Sequence, residues 1–538
     1  MNQNPKYIRR RRASALIGLL GMAGLIFGSC SILRDAATES GTTRSAAGSS
    51  ESEEEASETQ ETGQAARADP SGKPRPSRPS DGQAGTDYPA ALPINTRFPG
   101  LTTFRGNATR TYYGEGPVPD RPQVLWRYPS SGGLCSESTD ESGTRLWCGT
   151  GWTGQPNVVE DPSGRIEVRF GAYDAGIHVI DGVTGSEIKE TFYTDDIIKG
   201  TVTSDPDGYP LLYSGSRDNY FRILALDRGR MPEELWKLHS DSAPNPLWND
   251  DWDGSALIID DYLIEGGENS WFYVIKLNRK LNAGGQITVD PEVVMKVPGF
   301  DDTLLEQLGD STVSIENSVA FKQGVAYFAN SGGLVQGWDI SNILAGGTRY
   351  RRVFRFWTGE DTDASIVIDD KGYLYVASEL ERMNERASKV GQLLKLDPRR
   401  PYHPIVWSMP IPGNGGAGGI WATPALYRDA LFVTTNTGRL LAVDRASGKV
   451  GWEKSLPGPT WSSPVVVDDV LVVGDCAGVL HGYDARTPLE EPQGELWRVK
   501  LGGCIESTPA VWKGMIYVGS RDGAVYGIGN PQEGTQHG

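Results

Sequence analysis

Histidine and cysteine are scarce, five of each in 538 residues. The chain has no His-Glu-x-x-His, no Gly-x-Ser-x-Gly and no phosphate-binding Gly-x-x-x-x-Gly-Lys, so hydrolase and kinase chemistry have no residues to stand on. Positive charge is also short: 52 Lys and Arg face 69 Asp and Glu, a formal net charge of −17. Residues 91–538 alone hold 41 basic against 58 acidic side chains. A body of that sign repels phosphate backbones and anionic lipid, which excludes a nucleic-acid role and leaves cationic partners, metal ions or plain solubility. Charged residues make up only 22% of the chain, while Gly (67), Pro (34), Trp (15) and Tyr (21) are plentiful. That composition excludes a coiled coil or helical solenoid and describes many short strands joined by turns.

The N-terminus has the order of an export signal. Lys6 and Arg9 to Arg12 precede an apolar stretch from Ala13 to Gly28, followed by Ser29 and Cys30. Ile26-Phe27-Gly28-Ser29-Cys30 resembles a bacterial lipobox, with Phe27 where Leu is usual, and implies that Cys30 is diacylated and becomes the mature N-terminus. An uncleaved signal anchor is the alternative, since the apolar stretch is near the lower limit for spanning a bilayer. Either way the remainder is expected outside the cytoplasm, and on the lipobox reading it is lipid-anchored to a bacterial membrane. Residues 31–97 carry a Ser/Glu run (Ser49 to Glu61) and a Pro/Arg/Ser stretch (Pro70 to Pro79) that cannot bury a core, so they read as a disordered tether.

From residue 98 to about residue 530 one pattern recurs. It is clearest as Trp421-Ala-Thr-Pro-Ala, Leu431-Phe-Val, Gly438-Arg-Leu-Leu-Ala-Val-Asp444, Gly448 and Trp452. It returns from Trp461 to Trp497 and again from Glu506 to Gly529. Each copy reads as four short strands. Third strands end near Asp181, Asp227, Asn278, Asp339, Asp397, Asp444, Asp484 and Gly529, a repeat of 40 to 61 residues that predicts propeller blades. The eighth copy lacks a fourth strand, and Val124-Leu-Trp126-Arg-Tyr-Pro129 looks like a fourth strand with no blade before it. The expected fold is therefore all-β, an eight-bladed propeller of four-stranded antiparallel blades, closed by an N-terminal strand that completes the last blade. Residues 531–538 are expected to form a flexible C-terminus.

These repeats resemble the quinoprotein (PQQ) dehydrogenase-like propeller superfamily, and Phe104-Arg-Gly-Asn-Ala-Thr-Arg110 with Val124-Leu-Trp-Arg-Tyr is similar to the segment that precedes its first blade. The superfamily includes quinone-cofactor dehydrogenases and non-enzymatic exported lipoproteins of the BamB type. The resemblance thus implies a fold and leaves two functions open. One is a membrane-anchored scaffold that binds an envelope protein or small ligand, as in envelope protein assembly. The other is a PQQ-dependent, calcium-assisted dehydrogenase of alcohols or sugars. The cofactor members carry two adjacent cysteines over the quinone, and no Cys-Cys pair occurs here.

Four cysteines remain after Cys30. Cys476 and Cys504 lie on loops that emerge on one face of blades seven and eight, and Cys135 and Cys148 share the crossover into blade one. Two disulfides are expected, Cys135 to Cys148 and Cys476 to Cys504, against the alternative of four free thiols. One string is metal-like: Asn249, Asp251 and Asp253, with Gly254 and Asp260, follow calcium-loop spacing. Residues 255–259 are needed as an innermost strand, however, which would carry Asp260 away, and a solvated acidic loop is the competing reading.

Aligning the innermost strands of blades six to eight on their Ser/Thr-Pro places Trp421, Trp461 and Glu506 at the rim of the central channel, and the same register carried to the earlier blades gives Gly154, Lys199, Asp253, Glu316 and Asp363. Acidic doublets (Asp195-Asp196, Asp250-Asp251, Asp301-Asp302, Glu360-Asp361) crowd blades one to five, and glycine-rich crossovers line the other side. Converging carboxylates focus negative potential, so this mouth is the expected binding site for a cation, a calcium-held ligand or a basic peptide, with the two Trp as a stacking surface. The competing reading is that the acids solvate loops and the Trp pair packs between blades.

Overall fold

The computed structural model describes residue 88, residues 91–95 and residues 98–531 apart from 141–142, 152–153 and 415–417. Cys30, the export signal, almost all of the tether and the last seven residues lie outside the described residues.

Eight sheets follow one another along the chain; the first seven are each built around four consecutive antiparallel strands of the repeat, and the eighth combines the last three with the N-terminal strand Gln123–Tyr128. In blade seven these are Val465–Val467, Val470–Gly474, Val479–Asp484 and Glu495–Lys500. The first three are buried almost throughout, because each blade is sandwiched between two others, and such strands read as continuous apolar runs. The fourth is only partly buried, as suits an outer strand. Between blades the faces interlock: Leu211, Tyr213, Phe221 and Ile223 of blade two pack with Leu263, Tyr273 and Ile275 of blade three.

The recurring Gly and Trp have a shared cause. Gly448 sits at φ 74 in the turn after the third strand of blade six, where only glycine turns cheaply. A Cβ there would also lie 2.6 Å from the ring of Trp407, the fourth-strand tryptophan of blade five. Trp407 donates to the Arg445 carbonyl at 3.2 Å and Trp452 of blade six to the Pro488 carbonyl of blade seven at 3.0 Å, so these two tryptophans wedge against the next blade and hydrogen-bond it. Third and fourth strands also slip by a bulge in every blade, for example between Ala442 and Val443.

At the seam, Gln123–Tyr128 pairs antiparallel with Ala524–Gly529. Trp126 then repeats the internal wedge: its indole donates to the Gly182 carbonyl at 3.0 Å, and its ring occupies the space a Cβ on Gly185 would need. Two further N-terminal strands widen the seam blades. Gly100–Leu101 pairs antiparallel with Asn157–Glu160 of blade one, and Gly114–Glu115 runs parallel to Ala510–Trp512 of blade eight.

Sequence reading treated the Phe104 to Arg110 segment only as a lead-in; it is in fact a plug. Arg105 is fully buried and donates to the carbonyls of Thr423 and Pro424, both at 2.9 Å. Arg110, also fully buried, donates to Val319, Ser255 and Phe104 carbonyls and to Thr103 Oγ1. Apart from the Phe104 carbonyl of the plug itself, those carbonyls belong to blades three, four and six, so the two guanidiniums seal the central channel from within.

Among the described residues helix is confined to short pieces, Asp302–Leu308, Ser341–Leu344 and Glu385–Val390, with one 3-10 turn, Ser240–Ser242. Among the described residues no helix is long and apolar enough to cross a membrane.

Candidate functional site

Above the plug, the residues that precede each inner strand converge on the channel mouth. Tyr173 of blade one feels the charges of Glu506, Arg521, Lys199 and Asp253 together, which shows that blades eight, one, two and three meet there. Glu316 of blade four is influenced by Glu268 and Lys199, and Asp363 of blade five by Asp361 and Glu316, so the acidic array continues around the ring.

The rim residues read from the sequence therefore meet, and Glu316, Trp421 and Glu506 each work with a partner one hairpin further along the chain that the sequence reading missed. Glu316 accepts from Ser331 at 3.0 Å, Trp421 N donates to Asn436 Oδ1 at 3.1 Å and Glu506 pairs with Arg521 at 3.1 Å, each fifteen residues apart. The fixed offset in the repeat was the signal that could have found them, because the end of the second strand returns to the mouth beside the start of the first.

Blades three, four and five show three versions of one constellation. In blade three, Asp251, Asp253 and Glu268 surround the Lys199 ammonium at 3.1, 2.6 and 2.9 Å. Asn249 donates its amide to Glu268, and Arg217 adds a second cation on Asp251 at 2.8 Å. Burial would depress the Lys199 ammonium, but Asp253, Glu268 and Asp251 outweigh it and hold it well above its ordinary value. Burial, reinforced by Glu268, pushes Asp251 up to about 6; burial, reinforced by Asp253, pushes Glu268 up to about 7. The calcium-loop spacing thus brings Asn249, Asp251 and Asp253 together around a lysine. Asp260 is carried to the hairpin between Leu257–Ile259 and Tyr262–Gly266, at the far end of the strand.

Blade four keeps one carboxylate, Glu316, and satisfies it with the hydroxyls of Ser314 and Ser331. Burial, with help from Glu268, raises it to about 7. Blade five restores all three acids, Asp361, Asp363 and Glu379, whose oxygens lie within 4.8 Å of one another. Burial pushes all three well above the usual carboxylate range, with Glu381, Asp361 and Asp363 adding to the effect on Glu379.

Two acidic groups expected at the mouth are structural instead. Glu360 accepts the backbone amides of Glu381, Arg382 and Met383 and pins that loop. Asp301 caps the helix Asp302–Leu308 through the Leu304 amide, and hydrogen bonds from Arg355 hold it well below the usual range.

On the neutral side the rings of Trp421 and Trp461 lie 4.9 Å apart at 45°, both half-buried. Cys476 is bonded to Cys504, and Cys135 to Cys148, the two pairings expected from the blade positions. The second bond closes a hairpin, Cys135–Asp140 with Gly143–Cys148, that the sequence reading did not anticipate. Its Trp147 is flanked by the guanidiniums of Arg217 and Arg521 at 5.3 and 5.2 Å, both already paired to mouth carboxylates. The hairpin thus leans over the mouth on the blade-one side.

The family model for the outer membrane protein assembly factor BamB matches residues 404–490. The Comamonas testosteroni quinohemoprotein alcohol dehydrogenase superposes with a TM-score of 0.51 at 13% identity, over 81% of each chain. A europium-containing methanol dehydrogenase does so with a TM-score of 0.53 at 13% identity, over 80% of this chain and 98% of the other. BamB from Moraxella catarrhalis is 17% identical over 71% of this chain and 94% of its own, with a TM-score of 0.44. No curated protein matches the sequence. What these superpositions share with the chain is the fold, a β-propeller.

Proposed function

We propose that the protein is an exported, membrane-anchored binding scaffold of envelope protein assembly, whose axial mouth receives a positively charged group of a protein segment or small ligand. The carrying observation is the run of buried carboxylates from blade three to blade five, opening on one mouth above a sealed channel and facing the Trp421 and Trp461 pair. A cation entering it is attracted by the acids and can stack on indole. Both disulfides support an oxidising, extracytoplasmic location. The anchor is Cys30: Cys30→Ala releases the protein from membranes, and mass spectrometry that found residues 1–29 intact on the wild type would remove the lipoprotein element.

The mouth is tested with an arginine-rich peptide, read by tryptophan fluorescence. Wild type responds, and the combined Glu316→Gln, Asp363→Asn and Glu506→Gln variant, shown folded by circular dichroism, does not. A wild type that gives no response, or a variant that responds equally, overturns the reading.

The dehydrogenase alternative asks the same mouth to hold PQQ, a tricarboxylate, with calcium. The residues do not fit it. Among the described residues the cations at the mouth, Lys199, Arg217 and Arg521, each already hold a carboxylate, and no adjacent cysteine pair covers the channel. Absorbance of the purified protein after adding calcium and quinone separates the two, because bound cofactor has its own band.

A further inference from the structure

The repeat supplies its own control experiment. Blades three and five place the same Asp-x-Asp before the inner strand and the same Glu at the end of the second strand. In blade three the three carboxylates close around an ammonium. In blade five no lysine or arginine nitrogen among the described residues lies within ion-pair distance of Asp361, Asp363 or Glu379. The nearest guanidinium influence, from Arg382, comes from a group committed elsewhere: it donates to Asp310 Oδ2, to the Ser331 carbonyl and to the Thr312 carbonyl.

The oxygens left over are buried. Asp363 is 8% exposed and Glu379 2%, yet Asp363 Oδ1 and Glu379 Oε2 receive no hydrogen bond, nor does Asp361 Oδ1. Buried carboxylate oxygens that face only one another need a proton or a cation between them. Three oxygens within 4.8 Å of each other match a hard ion with metal-to-oxygen distances of about 2.3 to 2.6 Å, since two ligands on opposite sides of it stand about 5 Å apart. An all-oxygen donor set selects against zinc and copper, and a flexible, irregular one favours calcium over magnesium. Blade four, with one acid and two serine hydroxyls in the same places, needs no ion and separates the two charged constellations.

We infer that Asp361, Asp363 and Glu379 of blade five bind one calcium ion, in the position that the Lys199 ammonium fills in blade three. The inference shares Asp363 with the scaffold reading, but calcium uptake is measured without peptide and peptide binding without calcium, so failure of one is distinguishable from failure of the other.

The full mature chain in detergent, stripped with a chelator and dialysed, is titrated with calcium alone and followed by calorimetry and by thermal melting. One ion per chain binds, at up to roughly millimolar free calcium as in other extracellular modules, and raises the melting temperature. The Glu379→Gln variant, and separately Asp363→Asn, loses that ion and that shift. Lys199→Met, which empties the blade-three constellation, gains a second ion. Circular dichroism and the calcium-free melt show that each variant is folded; if one is not, the other carries the test. A wild type that takes up no calcium overturns the inference, as does a folded Glu379→Gln or Asp363→Asn that retains the ion. A proton shared among the acids would give the first of these results.

Discussion

Arg110 Nη2 donates to the Val319 carbonyl at 2.6 Å, bridging 209 residues of chain and fastening the axial plug beneath the inner strand of blade four. The same side chain also holds the Ser255 and Phe104 carbonyls. Replacing it by Met keeps the bulk and leaves those buried acceptors without donors, so Arg110→Met is expected to cost about 3–5 kcal/mol in denaturant unfolding. A loss within experimental error would mean that the plug does not hold the ring.

Lys199 is the cation that reconciles three buried acids. Lys199→Met in calcium-free buffer leaves Asp251, Asp253 and Glu268 with Arg217 alone, and breaking a buried ion cluster typically costs about 3–5 kcal/mol. The comparison is Lys513→Met on the surface, whose partner Glu160 is solvent-accessible and whose loss should stay below about 1 kcal/mol.

The Cys476 to Cys504 bond links blades seven and eight across a sequence separation of 28. In the chain-entropy account a loop of that size contributes about 3–4 kcal/mol. The Cys476→Ser, Cys504→Ser pair should lose that amount by chemical denaturation, and the Cys135 and Cys148 pair less, because its separation is 13.

Glu265 offers a pH signature. Burial pushes it up to about 8, with Arg110 opposing and Asp253 adding a little, and neither of its oxygens receives a side-chain partner. An unfolded glutamate titrates near about 4.3. Between these values the folded state holds the extra proton, so Glu265 makes stability fall as pH rises from about 4 through about 8. Glu265→Gln removes that contribution. Unfolding free energy measured across the window should slope less steeply by up to about one proton, with the variant gaining most at the alkaline end.

The blade count, the strand order and the closing strand were legible because a period in sequence becomes a ring in space. The rim positions were legible for the same reason, and Lys199, Asp253, Glu316, Asp363 and Glu506 do converge. What could not be read was charge cancellation. Asp301 and Glu360 look like mouth acids in the sequence but spend their oxygens on a helix end and a loop of amides, and the ammonium among Asp251, Asp253 and Glu268 comes from another blade. Nor did spacing reveal the plug, since Arg105 and Arg110 find their acceptors on main-chain carbonyls, which carry no residue signature. The disulfide hairpin escaped because its strands lie outside the repeat.

Blade eight is assembled from segments far apart in the chain. Arg121 N reaches Asn530 Oδ1 across 409 residues, and Gln123–Tyr128 waits for Ala524–Gly529 before it has a neighbour to pair with. During synthesis or export the early strand and the plug therefore emerge long before their partners, and the ring stays an open arc with two unsatisfied edges until the eighth blade arrives. For a chain threaded outward in order, that interval is when chaperones, proteases and stray strands compete for it.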